Sequence, residues 1–202
     1  MTHRTLTLTA AAVALGLAAG CGPGSRTHRQ AISQYGTGGD ASSYAQDTAN
    51  PNDYSASQAT GAPDVSACGD DPLSWAPASA QPNNPGADDY LDVTFDRYVF
   101  VSDVRITESY NPGGIVEVDL IATDGSAPDA IVFQDPTGDG AAAGCPTVFH
   151  IGINQGTTDD QYNRVRVWID SDIVGDANGD GNINNDWNEI DAIELDGDEL
   201  VR

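Results

Sequence analysis

Tyr90-Leu-Asp-Val-Thr-Phe95, Val99-Phe-Val-Ser-Asp-Val-Arg-Ile106 and Ile115-Val-Glu-Val-Asp-Leu120 decide how this chain folds. In the first segment Leu91, Val93 and Phe95 fall on one side while Asp92, Thr94 and Asp96 fall on the other, the period of two expected of a half-buried antiparallel strand. Val104 and Ile106 alternate with Arg105 and Thr107, and Val116, Val118 and Leu120 alternate with Glu117 and Asp119. The separating residues, such as Asn111-Pro-Gly-Gly114, are turn formers. Further strands are expected at 130–134, 147–153, 163–170 and 188–195, with a short one near 43–46. A single helical turn is expected around Ser57 to Thr60, stopped by Gly61 and Pro63. Seven or eight short strands without a convincing amphipathic helix give an all-β, antiparallel sandwich whose recognition or chemistry falls to its loops. In the last strand Ile190 and Ile193 are out of phase whereas Ile193 and Leu195 are in phase, so a bulge is expected near Asp191 and Ala192.

Outward from this centre, residues 1–20 read as a secretion signal, since the apolar run is too short and too rich in Thr, Ala and Gly to be a membrane span. Leu17-Ala-Ala-Gly-Cys21 resembles the bacterial lipoprotein cleavage box, which implies lipidation of Cys21; an ordinary signal peptide is the alternative. Residues 21–30 have a tether's composition, and 31–202 are expected to form one domain with an Asp/Asn-rich insertion at 171–186. The localisation implied is extracytoplasmic, on the outer membrane if the source has one, with membrane contact through the lipid alone.

The chain carries 31 Asp and Glu against eight basic residues, every one of them arginine, for a net charge of −23. Such a surface repels phosphate backbones and disfavours nucleic acid as a partner. Beyond Cys21 the cysteines are Cys68 and Cys145, and an even pair in an exported protein is most simply a disulfide; two buried free thiols are the alternative.

Asp176-Ala-Asn178-Gly-Asp180-Gly181-Asn182-Ile183 follows the first half of an EF-hand-type calcium loop, with oxygen ligands at positions 1, 3 and 5, glycine at 6 and a backbone carbonyl at 7. Trp187 stands where the closing carboxylate is expected, so Asp186 or Glu189 would have to complete the shell. Calcium is therefore the expected cofactor, on Asp176, Asn178, Asp180, Asn182 and Asp186, against the alternative of a metal-free turn. Trp168 alternates with Val167 and Ile169 and shares its outward face with Arg164 and Arg166, where a cation–aromatic ladder is expected. Tyr54 and Tyr110 lie in or beside loops, as do Trp75 and Trp187; the tyrosines are candidate ligand contacts and the tryptophans read as end plugs of the core. His150 has no partner evident in sequence, and no hydrolase motif is present, so a non-catalytic role is expected.

Ser57-Gln-Ala-Thr-Gly-Ala-Pro-Asp64, Cys68-Gly-Asp-Asp71, Trp75-Ala-Pro77, Tyr110-Asn-Pro-Gly-Gly114, Cys145-Pro146, Asn163-Arg-Val-Arg-Val167 and Trp187-Asn-Glu-Ile-Asp-Ala-Ile-Glu-Leu195 together resemble the SD-scarf β-sandwich of pappalysin-type proteins. That module is similar to the galactose-binding-like jelly rolls, including discoidin or coagulation-factor type C domains. The resemblance implies a jelly roll, a carbohydrate or protein partner met by end loops, and a second calcium position shared by Asp64 and Glu189, with Asp53 behind them; a turn-capping Asp and a solvated strand Glu are the alternative. The same superfamily also hosts purely structural modules, so a scaffold role in the cell envelope is the alternative, with a hydrolase as a third.

Overall fold

A computed structural model describes residues 27–45, 50–78, 89–140, 144–154, 159–174 and 187–202. Among these residues eight strands form, in chain order β1 (His28–Tyr35), β2 (Gly38–Ala41), β3 (Asp89–Tyr110), β4 (Ile115–Ile121), β5 (Ala130–Gln134), β6 (Thr147–Gly152), β7 (Tyr162–Ile169) and β8 (Glu189–Val201). Every pairing is antiparallel. One layer runs β1-β8-β3-β6 and the other β2-β3-β7-β4-β5, so β3 belongs to both. The architecture is an all-β jelly-roll sandwich, as the alternation requires.

The segments around 90–95 and 99–106 are not separate strands. Asp96-Arg-Tyr98 reads as a turn but is absorbed as a bulge, where the β3–β7 register shifts between Thr94 and Val99. The first half of β3 turns Leu91, Val93 and Phe95 inward; after a second shift near Ser102 the inward residues are Val104 and Ile106. Bulges bend and twist a strand, and this is how one chain segment passes between two packed sheets. The layers meet through apolar side chains, with Phe133 of β5 edge-on to Phe149 of β6 at 4.8 Å between ring centres.

Other boundaries moved as well. β1 begins at His28, inside the stretch expected as tether, because residues 28–35 pair with residues 194–201, the second part of the lengthened β8. The strand expected near 43–46 is found earlier, at β2, and the expected helical turn is a 3-10 turn at Ala56–Ala59. In β4 the inward set is Ile115, Val118 and Leu120; a shift between Ile115 and Glu117 leaves Val116 outside. In β8 the expected bulge is present: Thr107 faces Ala192 and Glu108 faces Ile190, which skips Asp191.

Trp75 is fully buried, its indole N–H donating to the Ser43 carbonyl at 3.0 Å, and it exchanges both backbone hydrogen bonds with Ile190. It plugs the core, as expected. Cys68 and Cys145 form a disulfide across 77 residues of chain, with Cα atoms 4.8 Å apart, and the Cys145–Pro146 bond is cis. The bridge ties the segment before Trp75 to the lead-in of β6. Replacing both cysteines with alanine is expected to lower unfolding free energy by roughly 4 kcal/mol, the chain-entropy value for a loop of this size. Denaturant titration checks this, and thiol counting on the unfolded, unreduced chain should find neither cysteine reactive.

Candidate functional site

Where β8 begins, two carboxylates, Glu189 and Asp191, are carried into the interior on either side of Ile190. Glu189 is fully buried and Asp191 nearly so. The Trp75–Ile190 pairing lays the 64–76 segment across the strand, and its backbone answers both acids. Asp191 accepts from the N–H groups of Asp64 at 3.3 Å and Val65 at 3.2 Å. Glu189 accepts from the Asp71 N–H at 3.2 Å and from the Trp187 indole at 3.1 Å. Asp64 stands beside Asp191 and Asp70 beside Glu189, and Tyr54 donates its hydroxyl to Asp70.

Burial pushes the Glu189 carboxyl up to about 8, only partly offset by its two N–H donors. Burial likewise raises Asp191 to about 6, with Asp64 adding to the rise. Tyr54 is also pushed up, by burial and then by Asp70. None of the ion pairs among the described residues involves these acids. The two positions expected to share calcium are thus drawn to different partners, Asp64 to Asp191 and Glu189 to Asp70. Each oxygen of Glu189 and Asp191 already has an N–H, and no group of three metal-binding side chains of the Asp, Glu, His or Cys type converges among the described residues. The donor set does not call for an ion there. The loop expected to bind calcium through Asp176, Asn178, Asp180, Asn182 and Asp186, and the cysteine expected to carry lipid, Cys21, lie outside the described residues.

The outward face of the β3-β7-β4 layer offers a different kind of site. Register sets Tyr90 opposite Trp168 and Asp92 opposite Arg166, while Glu117 and Asp119 face Trp168 and Arg166 from the other side. Arg166 makes a forked pair with the buried Asp92, at 2.7 and 2.8 Å. Its guanidinium lies over the Tyr90 ring at 4.3 Å and near Trp168 at 5.4 Å, and the two rings meet edge to face at 5.3 Å. The expected cation–aromatic ladder is therefore present. Trp168 is fixed by its indole N–H, which donates to Asp119 at 2.9 Å; burial raises the pKa of that acid.

Beside Trp168 a groove of about 670 Å³ opens, lined by Val116, Glu117, Gln134, Pro136, Trp168 and Asp170. Its volume suits a small ligand. The groove pairs a rigid, half-exposed aromatic side with carboxylates and an amide, and Glu117 accepts from the Gln134 amide. Its recruits come from three strands and a turn, and only the Trp168 face could be anticipated from local alternation. Tyr54 and Tyr110 are not among its lining residues. His150, expected to stand alone, pairs with Asp103 on the exposed side of β6.

Among protein families, the pappalysin-1 SD scarf domain, C-terminal, matches residues 25–199. Among solved structures, that of the CBM32-1, CBM32-2 and M60 catalytic domains from Clostridium perfringens ZmpB is similar with a TM-score of 0.51 at 9% identity, over 81% of this chain and 14% of that one. The chitosan-binding module 1 of a chitosanase/glucanase from Paenibacillus sp. IK-5 has a TM-score of 0.47 at 15% identity, over 84% of this chain and 96% of that one. A family 32 CBM from C. perfringens NanJ, solved with galactose, has a TM-score of 0.47 at 15% identity, over 82% and 99%. No curated protein sequence matches. At such identities the likeness is one of fold.

The buried acids at the root of β8 make a pH prediction. Their folded pKa values lie above the 4.5 and 3.8 of the free acids, so the folded chain holds protons that the unfolded chain releases. The stability they contribute is complete below those free-acid values and is lost as pH rises through about 6 for Asp191 and about 8 for Glu189. In chelator, the melting temperature should fall between about pH 5 and pH 9, and Glu189→Gln should flatten the upper part of that fall. A profile unaltered by the substitution would contradict this assignment.

Proposed function

The chain belongs to the family of the pappalysin-1 SD scarf domain, C-terminal, and from that premise we propose that it is a non-catalytic module that binds carbohydrate on the Trp168 groove. The observation that carries the reading is the groove itself. A tryptophan held by Asp119 presents an apolar ring face to a sugar's C–H face, while Glu117, Gln134 and Asp170 at its walls can exchange hydrogen bonds with hydroxyl groups. The ring costs little ordering on binding because its indole N–H is already tied down.

The rim tyrosines fit less well than the sheet face. Tyr54 spends its hydroxyl on Asp70, and its backbone is in the left-handed region at φ 55°. The non-catalytic reading is supported by Asp119 beside the groove, which is committed to the Trp168 indole. Among the described residues, His150 is bound to Asp103 on a solvent-facing strand.

The proposal extends to cellular context. Export and lipid attachment through Cys21 rest on the Leu17–Cys21 box, and a calcium ion on Asp176, Asn178, Asp180, Asn182 and Asp186 rests on the spacing of those oxygens. A Cys21→Ser chain should lose labelling by a radioactive fatty acid and leave the membrane fraction.

Binding is tested by applying the soluble domain to a glycan array, followed by titration calorimetry with any sugar retained. Trp168→Ala should weaken that sugar about tenfold or more, the loss of one stacking surface, without shifting the melting temperature by more than a few degrees. Retention unchanged by the substitution would remove the groove from the account. Silence on every glycan would favour a scaffold role in the envelope instead.

A further inference from the structure

Glu108 follows Val104 and Ile106 in the inward phase of β3, so the strand delivers a carboxylate to the interior at its end. There the hydrogen bonding does not close. Glu108 is fully buried; its Oε1 accepts from the Gly113 N–H at 3.1 Å and from the Asn188 amide at 2.6 Å, whereas its Oε2 has no donor. Asn188, also fully buried, donates the same amide nitrogen to the Asn111 carbonyl at 2.8 Å. Two acceptors on that nitrogen fix which way the amide points, so its Oδ1, which likewise lacks a partner, is a true orphan acceptor. Asp139 reaches Glu108 from the β5–β6 connection and is itself held by the Ile115 N–H at 3.1 Å.

The surrounding backbone keeps these groups together. Asn111 takes a left-handed conformation at φ 44°, and Gly138 does so at φ 81°. A Cβ on Gly138 would lie 2.0 Å from the Gly113 carbonyl oxygen, so only glycine lets the 135–140 turn press onto the 111–114 turn. Burial raises both acids, Glu108 to about 8, with the neighbouring Asp139 charge as the next cause. No arginine is paired with either acid among the described residues.

Buried Glu108 and half-buried Asp139 meet here as side-chain hydrogen-bond partners beside Asn188, and the unpaired acceptors, Glu108 Oε2 and Asn188 Oδ1, outnumber the one unpaired donor, Asn111 Nδ2. An anion is repelled there. A hard divalent cation supplies what is missing, since it takes oxygen ligands and balances two negative charges. We propose that Glu108, Asp139 and Asn188 form a structural calcium site that clamps the end of β3, the β5–β6 connection and the root of β8. This site is separate from Asp64 and Glu189, whose oxygens already have donors, and from the inserted loop. It requires nothing of the sugar reading, although Pro136 and Asp170 of the groove belong to segments packed on the same turns, Asp170 donating its N–H to the Gly114 carbonyl at 2.9 Å.

The test uses the full chain stripped with chelator, with calcium counted by titration calorimetry and native mass spectrometry at up to about 1 mM free ion. Glu108→Gln preserves an acceptor for Gly113 and Asn188 and turns an amide toward Asp139. It should bind one calcium ion fewer per chain than the parent and, in chelator at about pH 8, melt no lower than the parent, because a buried charge has gone. Asp139→Asn, a second variant should the first fail to fold, should lose the same ion. An Asp176→Asn, Asp180→Asn double variant should retain it, which separates this site from the loop. Equal calcium counts in the parent and both site variants, or no calcium in the parent, would overturn the proposal in favour of a proton shared between the two acids.

Discussion

The structure depends on the backbone pairing of β3, a 22-residue strand that hydrogen-bonds to β2 and β7 in one layer and to β6 and β8 in the other. A strand that changes layers must change the phase of its side chains, and β3 does so through irregularities near Asp96–Tyr98 and Ser102. Each half then turns its own apolar set into the same core. The ends of this strand also set the two polar places of interest. Asp92, near the start, is buried against Arg166 and anchors the aromatic face; Glu108, near the finish, is carried into the interior beside Asn188.

Charge is distributed unequally over that frame. With eight arginines against 31 acids, only some carboxylates can have a cationic partner. The arginines of the described sheet faces are spent in groups: Arg166 and Arg164 on Asp92, Arg105 on Asp103, Glu194 and Asp196, and Arg97 on Glu199. At the root of β8 the acids Glu108, Glu189 and Asp191 are buried without one. Burying a carboxylate is costly unless something neutralises it, and the three solve this differently. Backbone and indole N–H groups surround Glu189 and Asp191, whereas Glu108 keeps an oxygen with no donor. That contrast separates an acid pair complete in itself from one that is not.

The alternation of Leu91, Val93 and Phe95 was enough to read the fold class, because a period of two survives whatever the tertiary pairing is. The bulge at Asp191 was legible for the same reason, as a break in the phase of Ile190, Ile193 and Leu195. The continuity of β3 was not, since Asp96-Arg-Tyr98 has turn-like composition and only the pairing of the residues on either side of it with β7 and β8 carries the strand through. Val116 was assigned inward by simple alternation, and the irregularity after Ile115 put it in the groove instead. His28 to Gln30 have the composition of a tether and become strand only because β8 extends to meet them. The outward face of Trp168 and Arg166 was legible; the groove was not, because Gln134, Pro136 and Asp170 reach it from other elements. The Glu108 site was invisible for a related reason: Glu108 and Asn188 look like surface residues until the turns they join are folded over them.

The most direct test of the shared-strand architecture is hydrogen–deuterium exchange resolved along β3. The account predicts that amides of 91–95, 99–106 and 190–197 exchange most slowly and through a single opening with one common denaturant dependence. If the 91–95 amides opened independently of those at 104–106, the two layers would not be held by one continuous strand, and the account would be contradicted.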